Sequence, residues 1–153
     1  MAAKNILIGL GNPIMSDDGI GPLVSEQVHK RVSGFDLDTS YGGGFDVVDR
    51  ILGYRRAVII DAMVTGSCPP GTVIRIEPQS SVKTLRTSYS HGIDFLEAME
   101  MACSCGAAIP ADVILYGIEV ENPFSLGQEI SKGLRDDLDR IADEIIRDLL
   151  NAR

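Results

Sequence analysis

The feature that most constrains the fold lies at residues 4–21, which read KNILIGLGNPIMSDDGIG. Its apolar run at residues 6–8 is short and glycine follows it, which is typical of a buried strand. Pro13 has no N–H to donate to a strand ladder, so the strand ends before it. Asp17 and Asp18 then precede a segment with helical spacing of apolar residues. The order of strand, glycine loop, acids and helix predicts side chains at the carboxyl edge of a parallel sheet. Acids ahead of a helix also interact favourably with the positive N-terminal end of the helix dipole, which is the alternative explanation for the pair.

The rest of the chain alternates between the two kinds of apolar periodicity. A β-branched run at residues 57–60 is typical of a central strand buried on both faces, whereas the alternation at residues 72–77 suits an outer strand. The predicted strands are residues 6–8, 35–41, 57–60, 72–77 and 113–119, and the predicted helices are residues 20–31, 46–52, a segment directly after His91, and 127–150. This pattern predicts an α/β fold with a mostly parallel sheet of about five strands and helices on both faces. The pattern also allows one antiparallel strand. At 153 residues we expect one domain over residues 1–153.

Three polar residues follow predicted strands and become candidates for a common site. Asp18 follows the first strand, Asp61 directly ends the third, and His91 lies in the connection after the fourth. If those strands are parallel, the three side chains project from one edge of the sheet. Two carboxylates and an imidazole suit a divalent transition metal, and three protein ligands leave positions open for water or substrate. A helix-cap or turn aspartate and a structural histidine are the alternatives.

The glycine triplet at residues 42–44 also requires an explanation, because consecutive glycines lose much conformational entropy on folding. Either the turn there needs backbone angles that other residues avoid, or the backbone of another chain comes close to it. Both explanations stay open from the sequence.

Charge and composition exclude several classes of partner. Lys and Arg number 14 against 22 Asp and Glu, a formal net charge of −8. Binding to a phosphate backbone or an anionic membrane depends on clustered basic residues, so we expect no nucleic acid and no membrane partner.

No apolar run reaches the roughly 20 residues that span a bilayer, and the first apolar stretch is too short for a signal peptide. Cys68, Cys103 and Cys105 have neither disulfide-framework nor zinc-ribbon spacing. We expect a cytoplasmic protein with reduced thiols.

These residues together resemble a known family, the maturation endopeptidases of nickel–iron hydrogenases. The matching segments run in the same order through nearly the whole chain: GLGNPIMSDDGIG at residues 9–21, IIDA at 59–62, PGT at 70–72, SH at 90–91 and YGIEVE at 116–121. The combination of GN-x₄-DDG-x-G with the later aspartate and the SH pair is specific, although each part alone would be weak. The sequence departs from the family pattern at residues 41–44, where relatives often have an aspartate, two glycines and a threonine.

The resemblance implies a three-layer α/β/α domain and an activity. The activity is removal of a C-terminal extension from the hydrogenase large-subunit precursor once nickel has been inserted. It further implies that Asp18, Asp61 and His91 bind a metal, and that this metal is nickel carried by the precursor. Asp18 and Asp61 are the candidate catalytic carboxylates, and Gly42, Gly43 and Gly44 are candidates for binding the substrate tail. We expect the protein to act as a monomer.

Two other functions compete with this one. A non-catalytic maturation factor would bind the nickel-loaded precursor as a checkpoint without cutting it, using the same residues. The GLGNP segment also opens peptidyl-tRNA hydrolases, but those continue with an arginine-histidine-asparagine stretch where this chain has MSDDGIG. The acidic balance also suits tRNA poorly.

Overall fold

Strands and helices alternate along the chain in a computed structural model that describes residues 4–77, 91–127 and 129–152, with only the backbone of residues 91–93. The strands are β1 (Asn5–Gly9), β2 (Phe35–Asp38), β3 (Arg56–Met63), β4 (Val73–Ile76) and β5 (Asp112–Glu119). The α-helices are α1 (Ile20–His29), α2 (Phe45–Ile51), α3 (His91–Ser104) and α4 (Lys132–Asn151), and a short 3-10 helix (Ser16–Gly19) precedes α1.

The strands form one sheet in the order β2-β1-β3-β5-β4. β1 pairs in parallel with β2 and β3, and β3 pairs in parallel with β5. β4 is antiparallel to β5 and lies at the edge. The prediction of a mostly parallel sheet of about five strands is therefore confirmed, with the alternating segment as its outer strand.

Two apolar cores lie on opposite faces of this sheet. Successive residues of β3 point to opposite faces, as the period of a strand requires. Ile60 and Ala62 belong to the core that contains apolar residues of α1 and α4, whereas Ile59 and Met63 belong to the core beneath α2 and α3. The fold is thus three layers, α/β/α, as expected. Of the helices within the described residues, none combines the length and apolar character needed to cross a bilayer.

Two predicted boundaries are wrong in ways that affect the candidate site. β3 continues past residue 60 to Met63, so Asp61 lies inside the strand and not after its end. α4 begins at Lys132, five residues later than position 127, because the preceding segment is held in a different conformation. Gly127 has a φ of +72°, and its N–H donates to the carbonyl of Ile14 at 2.7 Å.

Candidate functional site

Glycines bring the chain back onto the end of β1 at the carboxyl edge of the sheet. The N–H of Leu10 donates to the carbonyl of Ile60 at 2.8 Å, which joins the end of β1 to β3. Gly11 has a φ of +128°, and a Cβ there would lie 1.9 Å from the carbonyl oxygen of Asp18. A Cβ on Gly21 would lie 2.0 Å from the carbonyl oxygen of Leu10. Because only glycine fits these close approaches, the GLGN and DDGIG segments place Asp18 directly beside the strand end.

Asp18 and Asp61, two of the three predicted site residues, are buried at this same edge. Asp18 is 1% exposed and Asp61 is 0% exposed. The N–H of Asn12 donates to Oδ2 of Asp18 at 2.7 Å. Asp61 pairs across the sheet with Gly117 and shares the face of Ile59 and Met63, the face that α2 and α3 cover. Two buried carboxylates at one edge of the sheet are costly to desolvate, so this arrangement requires a compensating role or compensating bonds.

His91, the third predicted residue, is the first residue of α3, and its side chain and Ser90 lie outside the described residues. The turn after α3 closes with the N–H of Ala107 on the carbonyl of Ala102 at 3.0 Å. Residues 108–111 then reach Asp112, and four residues span at most about 14 Å. α3 therefore ends near the amino edge, where β5 begins. β4, the strand before it, is antiparallel, so the parallel order assumed for the three site residues does not hold for His91.

Asp17, the neighbour of Asp18, has a different environment although it is also 1% exposed. Its Oδ1 accepts the N–H of Ser131 at 2.7 Å, and its Oδ2 accepts the N–H of Asn122 at 3.2 Å. Its own N–H donates to the carbonyl of Asn122 at 3.1 Å. Asp17 lies in the first turn of the 3-10 helix, as the alternative explanation expects, and its carboxylate also anchors the loop that leads into α4.

Glu119, at the end of β5, is a second buried carboxylate that holds a loop, a role that the sequence analysis missed. It is 2% exposed and accepts the N–H of Thr65 on both oxygens, at 3.0 and 3.1 Å. The hydroxyl of Thr65 donates to it at 2.8 Å, and the N–H of Gly66 donates at 2.9 Å. These donors come from the loop that follows β3. The sequence signal for this residue was its place within the YGIEVE segment, but the residues that bond Glu119 are 53 and 54 positions away from it in the chain.

The glycine triplet forms the turn between the edge strand β2 and α2. Gly44 has a φ of +57°, and its carbonyl accepts the N–H groups of Val47 and Val48 at 3.2 and 3.3 Å. A Cβ on Gly42 would lie 2.2 Å from the carboxylate of Asp46. At least two of the three glycines therefore have a local backbone or steric reason. A second role for the triplet in binding a tail stays a prediction.

A separate polar network lies between β5, β4 and α4. The Tyr116 hydroxyl donates to Oδ2 of Asp148 at 2.5 Å, and Nη1 of Arg75 contacts the same oxygen at 2.5 Å. Burial and the hydrogen bond to Asp148 raise the pKa of Tyr116 well above its usual value. This network lies on the α4 side of the sheet and shares no residue with the candidate site.

The described residues contain no group of three His, Cys, Asp or Glu side chains placed to hold a metal ion. The side chain of His91 is not among those described. Cys103 and Cys105 are exposed, and Cys68 is half-buried with its Sγ 3.8 Å from the Thr65 hydroxyl. The metal set of Asp18, Asp61 and His91 stays a prediction.

Comparison with known proteins gives a consistent result. The family model described as hydrogenase maturation protease matches residues 42–148, which include Asp61 and His91. The fold is similar to the hydrogenase maturating endopeptidase HybD from E. coli, with a TM-score of 0.77 and 15% identity over 97% of this chain and 93% of that one. It is also similar to two [NiFe] hydrogenase maturation proteases from Thermococcus kodakarensis. HybD has a TM-score of 0.72 and 21% identity over 95% of this chain and 98% of that one. HycI has a TM-score of 0.68 and 23% identity over 95% of this chain and 91% of that one. No curated protein sequence matches the chain.

Proposed function

The chain belongs to the hydrogenase maturation protease family, and from this membership we propose that it cleaves the precursor of a nickel–iron hydrogenase large subunit. The cut removes the C-terminal extension of the precursor after nickel has been inserted. The protein acts in the cytoplasm and as a monomer, with the precursor as its partner.

One observation carries this proposal beyond the family: Asp18, in the 3-10 helix beside the end of β1, and Asp61, in β3, are both buried at the carboxyl edge. Open α/β sheets place their ligands at this edge. Carboxylate oxygens are ligands of divalent cations, so two acids buried at this edge suit a site that a cation completes.

In the proposed mechanism, nickel arrives as part of the substrate. Asp18, Asp61 and His91 supply oxygen and nitrogen ligands, a donor set that suits a divalent transition metal. Docking then requires that the precursor already holds its metal, so the same residues test whether the precursor is ready. A precursor without nickel offers these residues no metal to bind.

Cleavage itself needs a nucleophile and a proton acceptor. A water molecule attacks the carbonyl carbon of the scissile peptide bond, and Asp18 or Asp61 accepts its proton. The carboxyl group then returns the proton to the leaving nitrogen as the C–N bond breaks. The products are a new carboxyl terminus on the large subunit and a free amino terminus on the released peptide.

The tail must reach this edge in an extended conformation. The triplet Gly42, Gly43 and Gly44 follows β2, which is the outermost strand on that side and borders only β1 within the sheet. An extended tail beside small residues can approach backbone closely, as strand addition requires. The triplet would thus bind the substrate while it also forms the turn.

The proposal is tested with purified nickel-loaded and nickel-free precursor and with intact-mass measurement. We expect this protein to remove the mass of the C-terminal peptide from the nickel-loaded precursor and not from the nickel-free one. Binding of the loaded precursor without any mass loss would favour the non-catalytic checkpoint factor. Equal cleavage of both precursors would contradict the role of nickel.

A further inference from the structure

We propose that Glu119 is a positioning residue of the cleavage site, whose buried carboxylate holds the loop at residues 64–72 as one wall of the groove for the precursor. This inference rests on the proposed function. Its basis is the set of donors from Thr65 and Gly66 that surround both oxygens of Glu119 at 2.8 to 3.1 Å. Hydrogen bonds to an ionised acceptor are stronger than those between neutral groups and fix geometry closely.

The backbone of Glu119 holds the other end of the same loop. Its carbonyl accepts the N–H of Gly71 at 2.8 Å, and its N–H donates to the carbonyl of Thr72 at 2.9 Å. Within the loop, the carbonyl of Pro69 accepts the hydroxyl of Thr72 at 2.6 Å. One residue of β5 thus fixes both ends of the connection between β3 and β4.

The loop that is held so firmly presents an exposed tip. Gly66, Ser67, Pro69 and Pro70 are exposed, whereas Glu119 beneath them is buried. The loop leaves β3 after Met63, two residues beyond Asp61 and on the edge where β3 ends. An exposed loop on a rigid strand end is the usual place for residues that contact a substrate.

Stability alone does not require a carboxylate here. The connection from β3 to β4 must pass the end of β5, which lies between them, but it could do so without desolvating a charged group, which is expensive even when it is bonded. The cost is reasonable where the position of a loop matters more than the free energy of folding. Glu119 acts through the loop and does not touch the reacting atoms.

The test is Glu119→Gln in the full chain, with nickel-loaded precursor as substrate. The amide keeps the volume but places an NH₂ against the N–H groups of Thr65 and Gly66. We expect KM to rise about tenfold, the equivalent of one lost charge-assisted bond, with kcat within about threefold. Hydrogen exchange at Thr65 and Gly66 should become faster. Thr65→Val removes only the hydroxyl donor and should raise KM about two- to threefold.

Tyr116→Phe is the matched control, because it removes a buried hydrogen bond to a carboxylate away from the site. It should lower the melting temperature and leave KM unchanged. If Glu119→Gln and Thr65→Val speed exchange in the loop but cleave with wild-type KM, the inference is overturned and the proposed function stands. If both variants change KM only as much as Tyr116→Phe does, it is overturned as well. A wild-type protein that does not cleave removes both.

Discussion

Asp17 and Asp18 are neighbours in the chain with the same exposure, yet their surroundings differ. Asp17 accepts two backbone N–H groups from the loop before α4, one on each oxygen. Asp18 accepts the N–H of Asn12, from its own glycine loop, and lies beside the end of β1. The first acid joins two distant parts of the chain, whereas the second is held by its own loop at the edge of the sheet. Burial of a carboxylate therefore does not by itself distinguish an anchor from a site residue.

The same contrast extends to a second pair of acids. Glu119 resembles Asp17, because loop N–H groups surround both of its oxygens. Asp61 resembles Asp18 in its burial and in its place at the carboxyl edge of the sheet. The carboxyl edge thus holds two anchoring acids and two candidate site acids. Each pair should respond differently when its charge is removed.

The largest expected effect is that of Asp61→Asn on cleavage. A site that loses one of three ligands loses most of its affinity for the cation, so the rate should fall by about a hundredfold or more. The amide has nearly the same shape and removes repulsion between two acids at one edge, so the free energy of unfolding should change far less than the cleavage rate. Precursor cleavage and urea denaturation measure the two quantities. A variant that cleaves normally but unfolds easily would place Asp61 with the anchoring acids.

His91→Ala should separate activity from stability in the same way. We expect cleavage to fall by about a hundredfold, as for loss of any ligand, while the free energy of unfolding changes by less than about 1 kcal/mol. Thermal melts beside cleavage assays measure both. If the variant melts far below wild type, or still cuts normally, His91 is a structural histidine and the predicted ligand set is wrong.

Gly43→Val has a smaller expected effect and tests the tail-binding role of the triplet. A branched side chain beside the tail should slow cleavage about tenfold, because it prevents close approach of the tail backbone. The melting temperature should change little. The matched control is Gly53→Ala, since Gly53 has a φ of +82° in open space at another turn. That control should lose some stability and no activity. Unchanged cleavage by Gly43→Val would leave the triplet as a turn alone.

The smallest effect concerns Asp148, an acid outside the carboxyl edge that serves as a reference. Burial acts to raise the pKa of Asp148, but hydrogen bonds from Tyr116 and Arg75 outweigh it and hold that pKa below the usual 3.8. A lowered pKa in the folded state gives stability that is present above the unfolded pKa and is lost as the pH falls through the folded one.

Asp148→Asn should therefore lower the free energy of unfolding at pH 7, and its difference from wild type should shrink as the pH falls below 3.8. Urea denaturation at neutral and acid pH measures this difference. Cleavage at pH 7 should not change. A difference that stays constant with pH would show that the hydrogen bonds of Asp148 do not depend on its charge.

The strands and helices with a clear local spacing of apolar residues could be predicted from the sequence, and so could the mostly parallel order of the sheet. The apolar run at residues 57–60 predicted a central strand, and β3 is central. Its extension to Met63 was missed because Asp61 looks like the end of an apolar strand. Pairing with Gly117 and with the rest of β5 continues the ladder there, and such pairing is not visible in local sequence.

The anchoring acids could not be predicted for a related reason. Asp17 bonds residues 105 and 114 positions away, and Glu119 bonds residues 53 and 54 positions away. Nothing local in the DDG segment distinguishes the acid that faces Asn122 and Ser131 from the acid beside the strand end. The late start of α4 has the same cause, since its preceding loop is fixed by Asp17 and Ile14.

The most direct test of this account compares Asp17→Asn with Asp18→Asn in one set of measurements. Asp17→Asn should lower the free energy of unfolding by about 1–3 kcal/mol, because an amide NH₂ would then face a buried N–H. Its folded fraction should still cleave the nickel-loaded precursor within a few-fold of wild type. Asp18→Asn should unfold like wild type and lose about a hundredfold or more in cleavage. If Asp18→Asn loses as much stability as Asp17→Asn, or if Asp17→Asn loses cleavage as completely, the two neighbours do not have the separate roles assigned to them.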